Sequence, residues 1–304
     1  MICVITYMNI TLLLEDFCHH AYYMKGHSSK TIKRYREQIT YFSKTSKIDR
    51  IEQISTDIIK SFFLFGRTNK KWKATTYHTY YMSLRSFFAW CLEHKYIQQD
   101  YLEGIELPPI KKSLPKGIKK QNALKILEII YNYPYTQDFV RYRNHAIFSM
   151  FLFAGLRKNE LLNLKLTDVD VDNLTIFVRF GKGAKDRIIP MSFTLAQSLK
   201  RYLEKRKKQG KTCPEFFVCS NRDRGFTESG LKSFLDGFRK ATNIHFTIHQ
   251  LRHTFATLML EGGCDIYSLS GMMGHSDIKT TTIYLSATPE HLRCQMAKHP
   301  LNRF

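Results

Sequence analysis

With 304 residues, 43% of them hydrophobic, the chain is long enough for two cored domains and too apolar to be disordered. A formal net charge of +21 calls for a polyanionic partner, and no single tail supplies it: residues 1–105 carry 15 Lys and Arg against 9 Asp and Glu, and residues 106–304 carry 32 against 17. Seven scattered cysteines, the closest pair being Cys213 and Cys219, exclude a disulfide framework and Cys-x-x-Cys metal spacing, and they imply a reduced, cytoplasmic setting.

The opening MICVITYMNITLLL is apolar but has no basic flank, is too short to span a bilayer and runs into Glu15-Asp16. It reads as a leader into a first helix from about Ile10 to Met24, with Met8 an alternative start. Ser28 or Ser29 then caps a second helix, Thr31 to Phe42, whose stripe is Ile32, Tyr35, Ile39 and Phe42. Ser55 caps a third, Asp57 to Phe65. Thr75 or Thr76 starts a fourth carrying Tyr80, Leu84, Phe87, Phe88 and Cys91. Between Asp57 and Glu93 no acidic residue occurs, while Lys60, Arg67, Lys70, Lys71, Lys73 and Arg85 gather beside Trp72, Tyr77 and Tyr80. A solvated face mixes signs, so this one reads as a phosphate-contacting surface.

Residues 106–120, ELPPIKKSLPKGIKK, form a basic, proline-rich linker in which Lys111 and Lys112 are expected to follow DNA. Helices near Asn122 to Tyr131 and Asp138 to Ala154 open the second domain. Arg157 and Glu160 then lie one turn apart, the spacing of an ordinary surface pair. Leu174 to Phe180 and Arg187 to Pro190 read as strands around the tip Gly181-Lys182-Gly183-Ala184-Lys185-Asp186, which lacks P-loop spacing. Helices from Phe193 to Lys208 and Glu228 to Ala241 follow.

The most informative stretch is His249 to Tyr284. A helix capped near Thr247, with Leu251, Phe255, Leu258 and Met259 as its stripe, places His249, Arg252 and His253 within about one turn of each other. Gly262-Gly263 ends it, and a second apolar turn carries Ile266 and Leu269. Gly274-His275-Ser276 then opens a third helix, putting His275 at a helix N-terminus. The run Thr280-Thr281-Thr282-Ile283 is polar enough to keep the Tyr284 hydroxyl near water. His249 and His253 stand at i and i+4, but a metalloprotease helix needs Glu after the first His and here it is Gln250, so no metal is expected.

His-x-x-Arg, Gly-His 23 residues after the Arg and Tyr nine residues later resemble the active-site half of the tyrosine recombinases, the Xer group above all. The segments LLEDF, SSKTIKRY and SLRSFFAWCLEHKYI resemble their helical core-binding domain. The resemblance maps the first active-site arginine of the Gly-Leu-Arg-x-x-Glu-Leu setting onto Arg157, its supporting acid onto Glu160, and the hairpin lysine onto Lys182 in preference to Lys185. It implies catalytic roles for Arg157, Lys182, His249, Arg252, His275 and Tyr284, with Glu160 and His253 in support. Metal-free phosphodiester cleavage suits such a set. Arginines bind the phosphate bidentately, tyrosine attacks, and an acid protonates the leaving oxygen. His249 is the candidate to take the Tyr284 proton and Lys182 the acid; the 3′-phosphotyrosyl link conserves bond energy, so no cofactor is needed.

The expected fold is therefore mostly α with a small β-hairpin or sheet: a helical core-binding domain (1–105), the linker (106–120), a catalytic domain (121–285) and a tail helix exchanged between protomers (286–304). Together they would clamp DNA. The expected function is site-specific DNA recombination on double-stranded DNA with inverted-repeat core sites. The assembly would be a homotetramer on two duplexes, or a heterotetramer with a related recombinase, with no membrane involved. A type IB-like topoisomerase and a catalytically inactive DNA-binding protein are the alternatives.

Overall fold

The computed structural model describes residues 8–110, 117–179, 186–275 and 277–284, and the chain divides into two compact units, 1–112 and 113–304. Lys111, Lys112, Lys182, Lys185, Ser276 and the tail beyond Tyr284 lie outside the described residues. Among the described residues, no helix is long and apolar enough to cross a membrane.

The first unit is built from α1 (Ile10–Tyr23), α2 (Ser29–Ser46), α3 (Thr56–Thr68) and α4 (Ala74–Glu93). Three helices start where a short polar side chain takes a free backbone N–H: Asn9 from Thr11, Ser28 from Thr31, and Ser55 from Ile58. The α2 stripe Ile32, Tyr35, Ile39 and Phe42 is buried as its spacing requires. Phe17 meets Tyr35, Phe87 and Trp90, while Phe42 meets Phe62 and Phe88, so aromatic rings fill the centre. Each fully buried ring of this kind contributes about 2 kcal/mol.

The turn between α3 and α4 departs from expectation. Trp72, Tyr77 and Tyr80 do not face outward with the lysines. Tyr77 is buried and stacks on Phe63, and Trp72 stacks on Tyr80 with centroids 4.3 Å apart. Trp72 presses so closely on Gly66 that a Cβ there would stand 2.2 Å from the indole. Arg67 donates to the Trp72 carbonyl at 2.6 Å, and Lys71 takes a positive φ of 50°. The aromatics thus anchor the turn from inside, leaving Lys60, Arg67, Lys70, Lys71 and Lys73 exposed.

The second unit contains α5 (Lys120–Asn132), α6 (Asp138–Phe153), α7 (Lys158–Asn163), β1 (Val169–Asp170), β2 (Thr175–Val178), β3 (Arg187–Pro190), α8 (Phe193–Lys208), α9 (Glu228–Thr242), α10 (Ile248–Glu261), α11 (Ile266–Met273) and α12 (Lys279–Thr282). Helix α6 is its axis, buried from Phe139 through Leu152 on several faces and packed against α5, α8 and α10. The antiparallel sheet has the order β1-β2-β3, with Ile176 opposite Ile189 and Val178 opposite Arg187. Strand β1, only two residues long, carries too little pattern to be foreseen. The buried stripe of α10 is Leu251, Phe255, Ala256 and Leu260, in place of the expected Leu258 and Met259. The difference follows from α11, which packs on α10 from the side that Ala256 and Leu260 share.

Candidate active site

The site begins at a glycine. After α6 the chain turns through Gly155 at φ +61°, where an added Cβ would stand 2.2 Å from the Phe255 ring. That turn brings Arg157 to the N-cap of α7 and aims the Gly155 carbonyl at Arg252, whose Nη1 donates to it. One turn on, Glu160 reaches back: its Oε2 accepts from the Arg157 backbone N–H at 2.8 Å and its Oε1 from Arg157 Nη1 at 2.7 Å. Far from being a surface pair, Glu160 has a side chain only 7% exposed.

Two further guanidiniums converge on that carboxylate. Arg187, the first residue of β3, donates to it with both forks, Nη1 to Oε1 at 3.0 Å and Nη2 to Oε2 at 2.8 Å. Arg252, from α10, holds Nη1 4.0 Å from Oε2. The same three arginines also seat the end of α11. Arg187 Nε donates to the Met272 carbonyl at 2.8 Å, Arg252 Nη2 to that of Met273 at 2.5 Å, and Arg157 Nη2 to that of Gly274 at 2.7 Å. A helix end leaves such carbonyls without intrahelical partners and carries partial negative charge, so three consecutive oxygens receive three cations. Gly274 terminates α11 in the left-handed region at φ +61°.

His275 follows immediately. It lies beyond the C-terminal cap of α11 rather than at a helix N-terminus, because α12 does not begin until Lys279. Its Nε2 accepts from Arg252 Nη2 at 3.3 Å, so in the neutral ring the proton sits on Nδ1 and is donated to Thr281 Oγ1 at 2.8 Å. Asp277 accepts from the Lys279 backbone N–H, turning the chain into α12.

Tyr284 does not lie near water, as its threonine neighbours suggested. It is 2% exposed and closes a small core of Phe255, Ala256, Leu260, Leu269 and Met273 between α10 and α11. Its hydroxyl lies 2.7 Å from Nδ1 of His253. His249, expected in that place, is exposed one turn earlier on α10. The α10 start is held by Thr247 and Gln250, each side chain taking the other's backbone N–H, which accounts for glutamine after His249.

The electrostatics follow from this packing. Burial pushes the Glu160 carboxyl up, but the hydrogen bonds from Arg187 and Arg157 outweigh it and bring its pKa to about 2. Burial, then repulsion from Arg252, Arg157 and Arg187, lowers His275 to about 4, so this imidazole is neutral at pH 7. His253 is lowered by burial and by His249 and Arg252. Tyr284 is raised by burial, against the pull of Arg252 and Arg157. Arg252 falls to about 10, mainly through burial. Three guanidiniums around one carboxylate leave an excess of positive charge, and the most open of the three is Arg157, with a side chain 24% exposed. Among the described residues, no three His, Cys, Asp or Glu side chains are grouped so as to hold a metal ion.

Of the residues singled out in the sequence, Arg157, Glu160, Arg252, His253, His275 and Tyr284 are brought together, His249 borders them, and Lys182 falls outside the described residues. Arg187 was missed. Period-two alternation from the buried Ile189 places it on the inward face of β3, where a charged residue needs a partner.

Known proteins resemble this chain over most of its length. Residues 117–291 match the phage integrase family, and residues 14–95 match the phage integrase N-terminal SAM-like domain. The tyrosine recombinase XerD of Listeria monocytogenes is 32% identical over 293 residues, covering 92% of this chain and 96% of that one. The tyrosine recombinase XerA of Pyrococcus horikoshii is 32% identical over 292 residues, covering 95% and 94%. A crystal structure of XerA recombinase is similar over 95% of this chain and 98% of that one, at 28% identity and a TM-score of 0.52. The XerH recombinase bound to its palindromic difH substrate, 22% identical with a TM-score of 0.69 over 94% and 83% of the two chains, shares the fold. The chain therefore belongs to the phage integrase family, as a Xer-like tyrosine recombinase, an enzyme that cleaves and rejoins DNA.

Proposed function

We propose that Arg157 and Arg252 bind the scissile phosphate while Tyr284 attacks it, leaving a 3′-phosphotyrosyl link and a free 5′-hydroxyl. The observation that carries this reading is the convergence of both guanidiniums and His275 beside a tyrosine whose hydroxyl rests on a histidine. A phosphate brought against these guanidiniums gains charge-assisted hydrogen bonds from groups already in place, and its negative charge develops further in the transition state. His275, neutral before DNA arrives, would take a proton on Nε2 as the phosphate's negative charge comes beside it, and donate that proton in a hydrogen bond to a phosphate oxygen. His249, on the exposed side of the α10 start, donates to a phosphate oxygen from the DNA side. His253 holds Tyr284 and is the nearer of the two α10 histidines to take its proton. Lys182 protonates the departing 5′-oxygen. Glu160 fixes Arg157 without touching the substrate.

Exposed Lys60, Arg67, Lys70, Lys71 and Lys73 of the first unit, with Lys111 and Lys112, would contact phosphates along the duplex. The fold shared with XerH, bound to a palindromic substrate, supports a target of inverted half-sites. A tetramer on two duplexes, of this chain alone or with a related recombinase, then carries out exchange in a cytoplasmic setting. The topoisomerase and inactive-binder readings are not favoured, since the relatives are tyrosine recombinases.

The test is a nicked suicide duplex containing the target, recovered from random duplexes by covalent capture on the wild-type protein. Wild type should remain linked to the DNA on denaturing gels and Tyr284→Phe should not, with binding unchanged. A covalent adduct formed by Tyr284→Phe would assign the nucleophile elsewhere.

A further inference from the structure

We propose that Arg187 is a positioning residue of the phosphate site, holding Glu160 and the end of α11 in one frame so that Arg157, Arg252 and His275 face a common point. The inference rests on the reading of Arg157 and Arg252 as the phosphate-binding pair and adds a residue that no motif identifies.

Arg187 directs Nε, Nη1 and Nη2 at three protein acceptors: the Met272 carbonyl and both oxygens of Glu160. With its side chain 9% exposed, it offers little to a substrate, unlike Arg157. Its contacts are those of a brace. One side of the planar guanidinium meets α11 and the other the acid that orients Arg157, a geometry that the point charge of lysine cannot reproduce. Gly274 supplies independent support, because an added Cβ there would stand 2.8 Å from Arg187 Nη1, so the backbone before His275 and the guanidinium are fitted to each other. Arg187 also ends the segment that carries Lys182, which raises a competing role through the leaving-group acid. Its side chain points instead to Glu160 and α11.

The experiment compares Arg187→Met and Arg187→Lys with wild type on the captured target, measuring duplex affinity and single-turnover cleavage across pH. Each is assayed with oxygen or sulfur at the 5′-bridging position, since a thiolate leaves without an acid. Affinity should change little. Cleavage should fall about 10²-fold for Met and about tenfold for Lys, the scale of losing an ångström of placement. Sulfur should restore Lys182→Ala but neither Arg187 variant. Glu160 is faced by Arg157 from the N-cap of α7, Arg187 from β3, Arg252 from α10 and His275 beyond α11. With Arg187 gone, Glu160 loses two of the hydrogen bonds that offset its burial, and the carboxyl protonates at higher pH. The Met variant should therefore gain an acid limb that Glu160→Gln removes. Folded Arg187 variants that cleave at the wild-type rate, or full rescue by sulfur, would overturn the proposal. If Arg187→Met does not fold, Arg187→Lys decides by the same criteria. Normal cleavage by Arg157→Ala and Arg252→Ala would instead sink the underlying reading, whatever Arg187 does.

Discussion

The two units use positive charge in opposite ways. In the first, Lys60 and Arg67 of α3 stand in solvent with Lys70, Lys71 and Lys73 of the turn that follows it, which Trp72 braces from within. In the second, Arg157, Arg187 and Arg252 are drawn against Glu160 and three carbonyls of α11. Exposed ammonium groups act through the ionic atmosphere and tolerate rearrangement. Seated guanidiniums act through geometry and do not.

The largest break in that contrast should come from Arg252→Lys, which keeps the charge and loses the fork. Single-turnover cleavage is expected to drop about 10²- to 10³-fold, the usual effect of removing a fixed transition-state donor, with duplex affinity within a few-fold. Retained activity would mean that charge alone suffices at this position. A smaller effect concerns stability. Glu160 titrates at about 2 in the fold against 4.5 in its ordinary state, so its depressed pKa stabilises the protein above pH 4.5, and this contribution is lost as pH falls through about 2. The contribution is on the order of 3 kcal/mol. Melting temperatures taken from pH 6 down to 3 should fall less steeply in Glu160→Gln than in wild type, and parallel curves would place the acid sensitivity elsewhere. The mildest effect belongs to the first unit. Replacing Lys70, Lys71 and Lys73 by Gln should weaken binding to all duplexes alike and reduce the salt slope by up to about 3, leaving the cleavage rate of bound DNA untouched. An unchanged slope would make that turn an ordinary solvated face.

Much of this was readable in the chain. Ser28, Ser55 and Thr247 announce helices, and apolar spacing gives their buried faces, because both signals are local. What failed depended on distant packing. Trp72, Tyr77 and Tyr80 lie among lysines in sequence and among Phe62 and Phe63 in space. Tyr284 has polar neighbours along the chain, while its burial comes from α10 and α11. The arginine cluster was half legible: the spacing of Arg157 and Glu160 was visible, but a pair at that spacing is ordinary until Arg187 and Arg252 arrive from 27 and 92 residues away.

The seating of three arginines on the end of α11 has a consequence for encounter with DNA. A free arginine side chain carries about 2 kcal/mol of rotamer entropy, and on the proposed reading a substrate that had to still Arg157 and Arg252 by itself would bind correspondingly more weakly. Here Arg157 and Arg252 already contact Glu160 and the carbonyls of Gly155, Met273 and Gly274 within the second unit, so a phosphate bound as proposed would meet donors whose placement belongs to the folded chain rather than to the complex. A change that loosens α11 should disperse the three guanidiniums in the free protein, before any DNA is present.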